Sequence, residues 1–150
     1  MSLDVAICTR AGTLEIDATF SAAAGELAAL AGPNGAGKTS ILRAIAGFAM
    51  PESGSIRVGN DIYVDCSQSL YLAPERRDIG YVLQDITLFP HLTVRQNIEF
   101  GVRARGRSRR PGGLSADDWI EKLNLRKFEN RKPATLSGGE AKRVAIARAL

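Results

Sequence analysis

The sequence is poor in the side chains that build metal sites and covalent cross-links: its 150 residues include one histidine, His91, and two cysteines. Cys8 and Cys66 sit in apolar, strand-like segments without CxxC or CxxH spacing, which points to buried reduced thiols rather than to a bridge or a zinc site. Long apolar runs are missing too. The longest, such as residues 27–31, fall far short of the roughly 20 residues a membrane span needs. Met1-Ser2-Leu3-Asp4 does not open a signal peptide, so the chain is expected in the cytosol. Aromatics are few, at 6%, but 45% hydrophobic and 24% charged residues exclude a disordered tail and a collagen-like repeat. No internal repeat is present.

Charge is unevenly spread. Residues 1–100 hold 7 basic against 11 acidic residues and residues 101–150 hold 13 against 5, so the two portions carry −4 and +8. Five arginines fall within eight residues (Arg103, Arg105, Arg107, Arg109 and Arg110) just before Pro111-Gly112-Gly113. Such a run reads first as a solvated basic loop, with nucleic acid or an anionic membrane surface as the alternatives. No aromatic is interleaved for base stacking, so no nucleic acid is expected.

Residues 4–9 and 13–20 read as two short strands joined at Ala11-Gly12, an antiparallel start. Residues 27–31 read as a strand buried on both faces, running into a glycine-rich loop and then a helix. That helix starts at Lys38, is expected to bury Ile41, Leu42 and Ile45, and stops at Gly47. Ile56 and Val58, then Ile62 and Val64, alternate with polar neighbours around Gly59-Asn60, a second hairpin. Residues 79–83 read as another strand. From Thr93 the spacing of Val94, Asn97, Ile98 and Gly101 is helical, and residues 115–123 form a second helix. The last helix opens at Ser137 with Glu140 completing a capping box, and is expected to present Ala141, Val144, Ala145 and Ala149 on its apolar face.

Gly32-Pro33-Asn34-Gly35-Ala36-Gly37-Lys38-Thr39 fits GxxxxGK(S/T) between an apolar segment and a helix. Glycines let the backbone turn its N–H groups inward as an anion-binding nest, and the helix N-terminus adds partial positive charge. Lys38 supplies a mobile cation for the β and γ phosphates, and Thr39 a hydroxyl for Mg²⁺. Counting Ser40, the nucleotide-binding set runs from Gly32 to Ser40. Leu136-Ser137-Gly138-Gly139-Glu140 follows, with Ser137 lying 99 residues after Lys38. Its two glycines behind a serine N-cap make a second anion site.

With both motifs in hand, all 150 residues resemble the nucleotide-binding subunit of an ATP-binding cassette transporter. The resemblance implies an α/β fold: a P-loop NTPase (RecA-like) core with an N-terminal antiparallel β subdomain (together residues 1–92) and a helical signature subdomain (residues 93–150). It implies ATP and Mg²⁺ as ligands, and a head-to-tail dimer in which Ser137, Gly138 and Gly139 face the γ-phosphate held by the second ATPase subunit. Gln84 matches the family's Q-loop glutamine, which reaches Mg²⁺ and the attacking water. Leu88-Phe89-Pro90-His91-Leu92-Thr93-Val94 and Asn97-Ile98 match the importer pattern, which places His91 in a loop that meets the transmembrane permease subunits, with a solute-binding protein involved indirectly. Pro74-Glu75-Arg76-Arg77-Asp78-Ile79-Gly80-Tyr81-Val82-Leu83-Gln84-Asp85, with the rest, is most similar to the ATPases of molybdate importers, at the cytoplasmic face of the inner membrane.

Two departures from the family qualify this. Thr9, Arg10, Ala11 and Gly12 stand where the family places an aromatic to stack on adenine; Arg10 either stacks through its guanidinium or the base is weakly held. The sequence also stops at Leu150, before the family's Walker B aspartate, catalytic glutamate and switch histidine, so it reads as the front part of a longer protein, incomplete at its C-terminus and not expected to hydrolyse ATP alone. Competing readings are a soluble cassette ATPase acting on nucleic acid or ribosomes, and a non-hydrolysing nucleotide-binding fragment.

Overall fold

Alternation of apolar and polar residues in the first 22 positions does what a half-buried ribbon requires. In the computed structural model, which describes residues 1–104 and 114–150, β1 (Leu3–Ala11) and β2 (Leu14–Ala22) pair antiparallel, with Val5 opposite Phe20, Ile7 opposite Ala18 and Thr9 opposite Ile16. Val5, Ile7, Thr9, Ile16 and Ala18 are buried while their chain neighbours face the other way. The second expected hairpin forms as well, from β3 (Ser53–Val58) and β4 (Asp61–Asp65), and a short β5 (Leu70–Tyr71) completes a sheet in the order β2-β1-β3-β4-β5. The register slips by one between Ile56 and Arg57, which pair with Val64 and Ile62. Tyr63 is the extra residue of this bulge, and it is Tyr63, with Val64, that is fully buried; Ile62 is only half-buried.

α1 (Lys38–Ala46) begins and ends where expected, with Gly47 in the left-handed conformation closing it. Ile41, Ala44 and Ile45 bury, at the three- and four-residue spacing of one helix face. Leu42 does not: it is 45% exposed, because one residue on from Ile41 turns it about 100° off that face. Two strand expectations also fail. Residues 27–31 and 79–83 carry no ladder, and Leu27 is 96% exposed. A strand exists through its pairing, and no described strand runs beside either segment. Cys8 and Cys66 are free but half-buried rather than buried.

By internal contacts the chain divides into two compact units, Met1–Ile79 and Gly80–Leu150. The second is helical: α2 (Val94–Ala104), α3 (Ala116–Lys122) and α4 (Gly138–Ala149) enclose Val94, Ile98, Ile120, Leu125, Phe128, Val144 and Ala147. All four expected α2 positions are buried, and Gly101 is required there, since a Cβ would run into the Arg148 carbonyl of α4. α4 buries Val144, Ala145 and Ala147, with Ala141 and Ala149 only partly covered. Arg103 pairs with Glu99 at 2.9 Å, whereas Arg105, Arg107, Arg109 and Arg110, and with them the basic-loop reading, lie outside the described residues. No helix among the described residues is long and apolar enough to cross a membrane.

Ion pairs and caps tie the helices of the second unit at its surface. Arg95 on α2 reaches Asp117 on α3 at 2.9 Å and Glu129 at 2.6 Å, and Arg126 also reaches Asp117. Hydrogen bonds from Arg95 and then Arg126 hold the Asp117 carboxyl below its ordinary range. The capping hydroxyl of Ser115 does the same for Asp118, and the Ser137 backbone N–H for Glu140. Carboxyls depressed in the folded state contribute stability that is present above their unfolded pKa and lost as pH falls through the folded one. The urea midpoint of this unit, followed by fluorescence of the sole tryptophan, Trp119, is therefore expected to hold from about pH 7 to 5 and fall below about pH 4. Asp118→Asn should flatten the fall; a midpoint that is level down to about pH 3 would contradict this assignment.

Candidate nucleotide-phosphate site

The residues expected to bind phosphate form an exposed turn that feeds α1. Gly35 and Gly37 take φ of 83° and 85°, a region strained for other residues, and a Cβ on Gly37 would also collide with the Ile16 side chain of β2. Gly37 is the N-cap, so no side chain caps α1, and no acidic residue lies in its first turn. The first intrahelical bond runs from the Ile41 N–H to the Gly37 carbonyl at 3.0 Å. The amides of Lys38, Thr39 and Ser40 come before it, the groups a helix start leaves for an outside acceptor. Gly32, Pro33, Asn34, Ala36 and Thr39 are solvent-exposed and Ser40 is half-buried. Lys38 Nζ curls back over the turn and donates to the carbonyls of Gly32 (2.8 Å) and Pro33 (2.7 Å).

This arrangement fits a polyphosphate: an unneutralised helix N-terminus, open backbone and a lysine held only by neutral carbonyls. For Mg²⁺, the Thr39 hydroxyl is a hard but neutral oxygen donor, which suits the ion when phosphate oxygens complete its shell. Arg10 stands elsewhere. It follows buried Thr9 on β1, so its side chain leaves by the opposite face, where it pairs with Glu52 at 3.6 Å.

Gln84, Ser137, Gly138 and Gly139 belong to the second unit. Ser137 caps α4: its Oγ accepts from the Glu140 N–H and Glu140 accepts from the Ser137 N–H at 2.8 Å. The capping box uses those two amides and leaves those of Gly138 and Gly139, both exposed residues where an added Cβ would meet nothing. Gln84 is exposed, in an irregular segment whose flanking residues line a small crevice together with Ala145 and Arg148 of α4. Arg148 also donates to the Thr87 carbonyl at 2.8 Å and lies 5.0 Å over the Phe89 ring.

His91 is exposed at the tip of a loop that Asn97 organises from inside. The fully buried Asn97 amide donates to the carbonyls of Phe89, Leu92 and Thr93, and its oxygen accepts from the Phe89 N–H at 2.9 Å. Phe89 then meets half-exposed Phe100 edge-on at 4.7 Å, and with Ala104 and Arg148 the two rings line an open, mostly apolar groove. The sequence put Asn97 in a helical spacing and in the importer-like pattern without signalling this role, and gave no sign of Arg148; each is a polar residue whose partners lie in a loop outside its own helix.

The family model for the ABC transporter matches residues 16–150. This chain belongs to the ABC transporter family. Its ATP-binding-domain relatives include the Molybdenum import ATP-binding protein ModC of Mycobacterium tuberculosis (strain ATCC 25618 / H37Rv), 45% identical over 139 residues, covering 90% of this chain and 38% of the relative. The protein of the same name from Rhodospirillum rubrum is 43% identical over 148 residues, covering 99% and 39%. The chain thus spans about two fifths of the curated relatives it matches. Among solved structures, the ATP-binding cassette MJ0796, dimeric in a post-hydrolysis state with ADP and Pi, superposes with a TM-score of 0.69 at 29% identity, covering 100% of this chain and 69% of that one. An ATP-binding subunit of an ABC transporter gives a TM-score of 0.72 at 23% identity, over 98% and 60%, a likeness of fold alone. The α/β P-loop cassette fold expected from the sequence is the fold of these ABC neighbours.

Asn97→Ala removes four hydrogen bonds and leaves the Phe89 N–H without its acceptor, while the Phe89 and Thr93 carbonyls keep the backbone N–H groups of Leu92 and residue 97. It is expected to cost about 2–4 kcal/mol in the second unit, measured by urea unfolding, with loss of the Phe89–Phe100 ring contact in NMR spectra. An unfolding midpoint within error of wild type would remove Asn97 as the organiser of this loop.

Proposed function

We propose that this chain is the ATP-binding part of an importer subunit that couples ATP binding and hydrolysis to passage of a small solute, molybdate or a related oxyanion. The observation that carries it is the bare start of α1, with Gly37 pressed on Ile16 and Lys38 folded over the turn. The names of the two bacterial relatives support the solute.

In this reading the residues from Gly32 to Ser40 form the phosphate cradle, with the N–H groups of Lys38, Thr39 and Ser40 at the bare helix start as donors to the β and γ phosphates, and Lys38 exchanges its two carbonyl acceptors for phosphate oxygens, a charge-assisted and therefore stronger pairing. Thr39 would offer its hydroxyl to magnesium and Gln84 its amide oxygen, and the ion would supply neutralisation of the phosphate charge. Ser137 and the free amides of Gly138 and Gly139 receive the nucleotide of a second ATPase subunit in a head-to-tail dimer. The groove beside Phe89 and the His91 loop receive the transmembrane permease subunits, so the protein sits peripherally at the cytoplasmic face of the inner membrane, with the solute-binding protein met only through the permease. Residues 1–92 then act as the β subdomain and P-loop core, and residues 93–150 as the helical signature subdomain.

Lys38→Ala should lower ATP affinity about 10- to 100-fold, since a charge-assisted contact is worth roughly 1.5–3 kcal/mol. Ser137→Arg should leave ATP affinity of the single chain unchanged. Equilibrium titration of both variants decides: undiminished affinity in Lys38→Ala removes the turn from the site, and a large loss in Ser137→Arg contradicts a signature that serves the partner subunit.

A further inference from the structure

The end of α1 opposite the phosphate turn is gripped by a buried arginine that the proposed reaction does not use. Arg77 is 6% exposed, and its Nη1 donates to the carbonyls of Ala44 and Ile45, both at 2.7 Å, in the last turn of α1. Nε donates to the Leu72 carbonyl at 2.8 Å, and the guanidinium lies over the rings of Tyr71 (5.0 Å) and Tyr63 (5.5 Å). The Tyr71 hydroxyl adds a bond to the Gly47 carbonyl, just past the helix. No carboxylate among the described residues lies within ion-pair distance of Arg77; the negative end of α1 and two aromatic faces meet its charge instead. Burial accordingly lowers its pKa.

The two ends of α1 are therefore held very differently. Its start has no capping side chain, and the segment leading into it, residues 23–37, pairs with no described strand. Packing of Ile41, Ala44 and Ile45 fixes which face of the helix meets the sheet, but apolar contact is non-directional and sets axial position and tilt weakly. Hydrogen bonds to two successive carbonyls are directional and set both. Ala44 is six residues from Lys38, about 9 Å along the axis. A tilt of about 10° about the gripped end moves the turn by roughly 1.5 Å, beyond the ~0.5 Å within which a binding constellation has to be held.

We infer that Arg77 is a positioning residue for the phosphate turn, acting through α1 to set where the Gly37 and Lys38 amides stand. This rests on the reading that the turn binds nucleotide phosphates, and the test separates the two. In the full chain, Arg77→Met keeps the stem and removes every donor, Arg77→Lys keeps the charge and fewer donors, and Ile56→Val trims the core of the same unit on β3, which carries no hydrogen-bond or ring partner of Arg77. Each is followed by the ¹H–¹⁵N resonances of Gly37 and Lys38 without nucleotide, by ATP affinity at a temperature where the protein is folded, and by melting temperature.

Arg77→Met is expected to shift both resonances and to weaken ATP about tenfold, the loss of roughly one well-placed phosphate contact. Arg77→Lys should shift the same resonances less, with a loss of about threefold, and decides the question if Arg77→Met does not fold. Ile56→Val should lower the melting temperature and change neither. Unmoved turn resonances in a folded Arg77 variant, or equal shifts in Ile56→Val, would overturn the inference. A wild-type chain without ATP affinity would instead sink the nucleotide reading, with the resonances still deciding whether Arg77 sets the turn.

Discussion

A helix held firmly at one end and left bare at the other is the constraint around which the first unit is built. Arg77 occupies the Ala44 and Ile45 carbonyls of the last turn of α1 and Tyr71 that of Gly47 just past it, while Gly37 leaves the first amides without a side-chain partner. A capping serine or aspartate at position 37 would satisfy one of those amides and make the helix more stable by about 1 kcal/mol. It would also introduce a Cβ where Ile16 already stands. The sheet's contribution to the site is thus specific: β2 supplies the apolar floor under the turn, and the bulge in β4 turns Tyr63 inward, where its ring meets Arg77. Stability lost at the start of α1 is what makes that start able to take an anion.

The second unit solves a comparable problem with the opposite device. Its signature helix does carry a full capping box, yet the box consumes only the Ser137 and Glu140 amides, and two glycines follow the cap with no side chain to cover what remains. The exposed loop before α2 is shaped from beneath by Asn97 and from the side by Arg148, while Leu88 packs on the helical core and the tip presents His91. Buried polar groups with all their bonds made are costly to disturb, and they specify one geometry. Arg95, joining α2 to Asp117 and Glu129, performs the same task at the surface with less energy at stake.

Local signals made much of this legible in the sequence. Gly12 and Gly59 marked hairpins, Gly47 the end of α1, and Ser115 and Ser137 the starts of two helices, because turns and caps depend on residues a few positions apart. Non-local features were not legible. An apolar run such as residues 27–31 becomes a strand only if another strand lies beside it, and Tyr63 reached the core through a register slip that alternation alone does not reveal. Arg77 entered only as one residue of the segment from Pro74 to Asp85 that is similar to importer ATPases, since nothing in its neighbours says that two tyrosines and a helix end converge on it. Of the candidate site, the phosphate turn and the signature were visible as motifs, while the residues that hold them in place were not.

We propose that the turn before α1 binds polyphosphate through backbone amides and Lys38. Competition of adenosine, ADP, ATP and inorganic tripolyphosphate for the chain, at fixed Mg²⁺ and ionic strength, tests it most directly. Affinity is expected to rise from adenosine to ADP to ATP, with tripolyphosphate displacing ATP. Adenosine binding as tightly as ATP, or tripolyphosphate failing to displace it, would contradict the account.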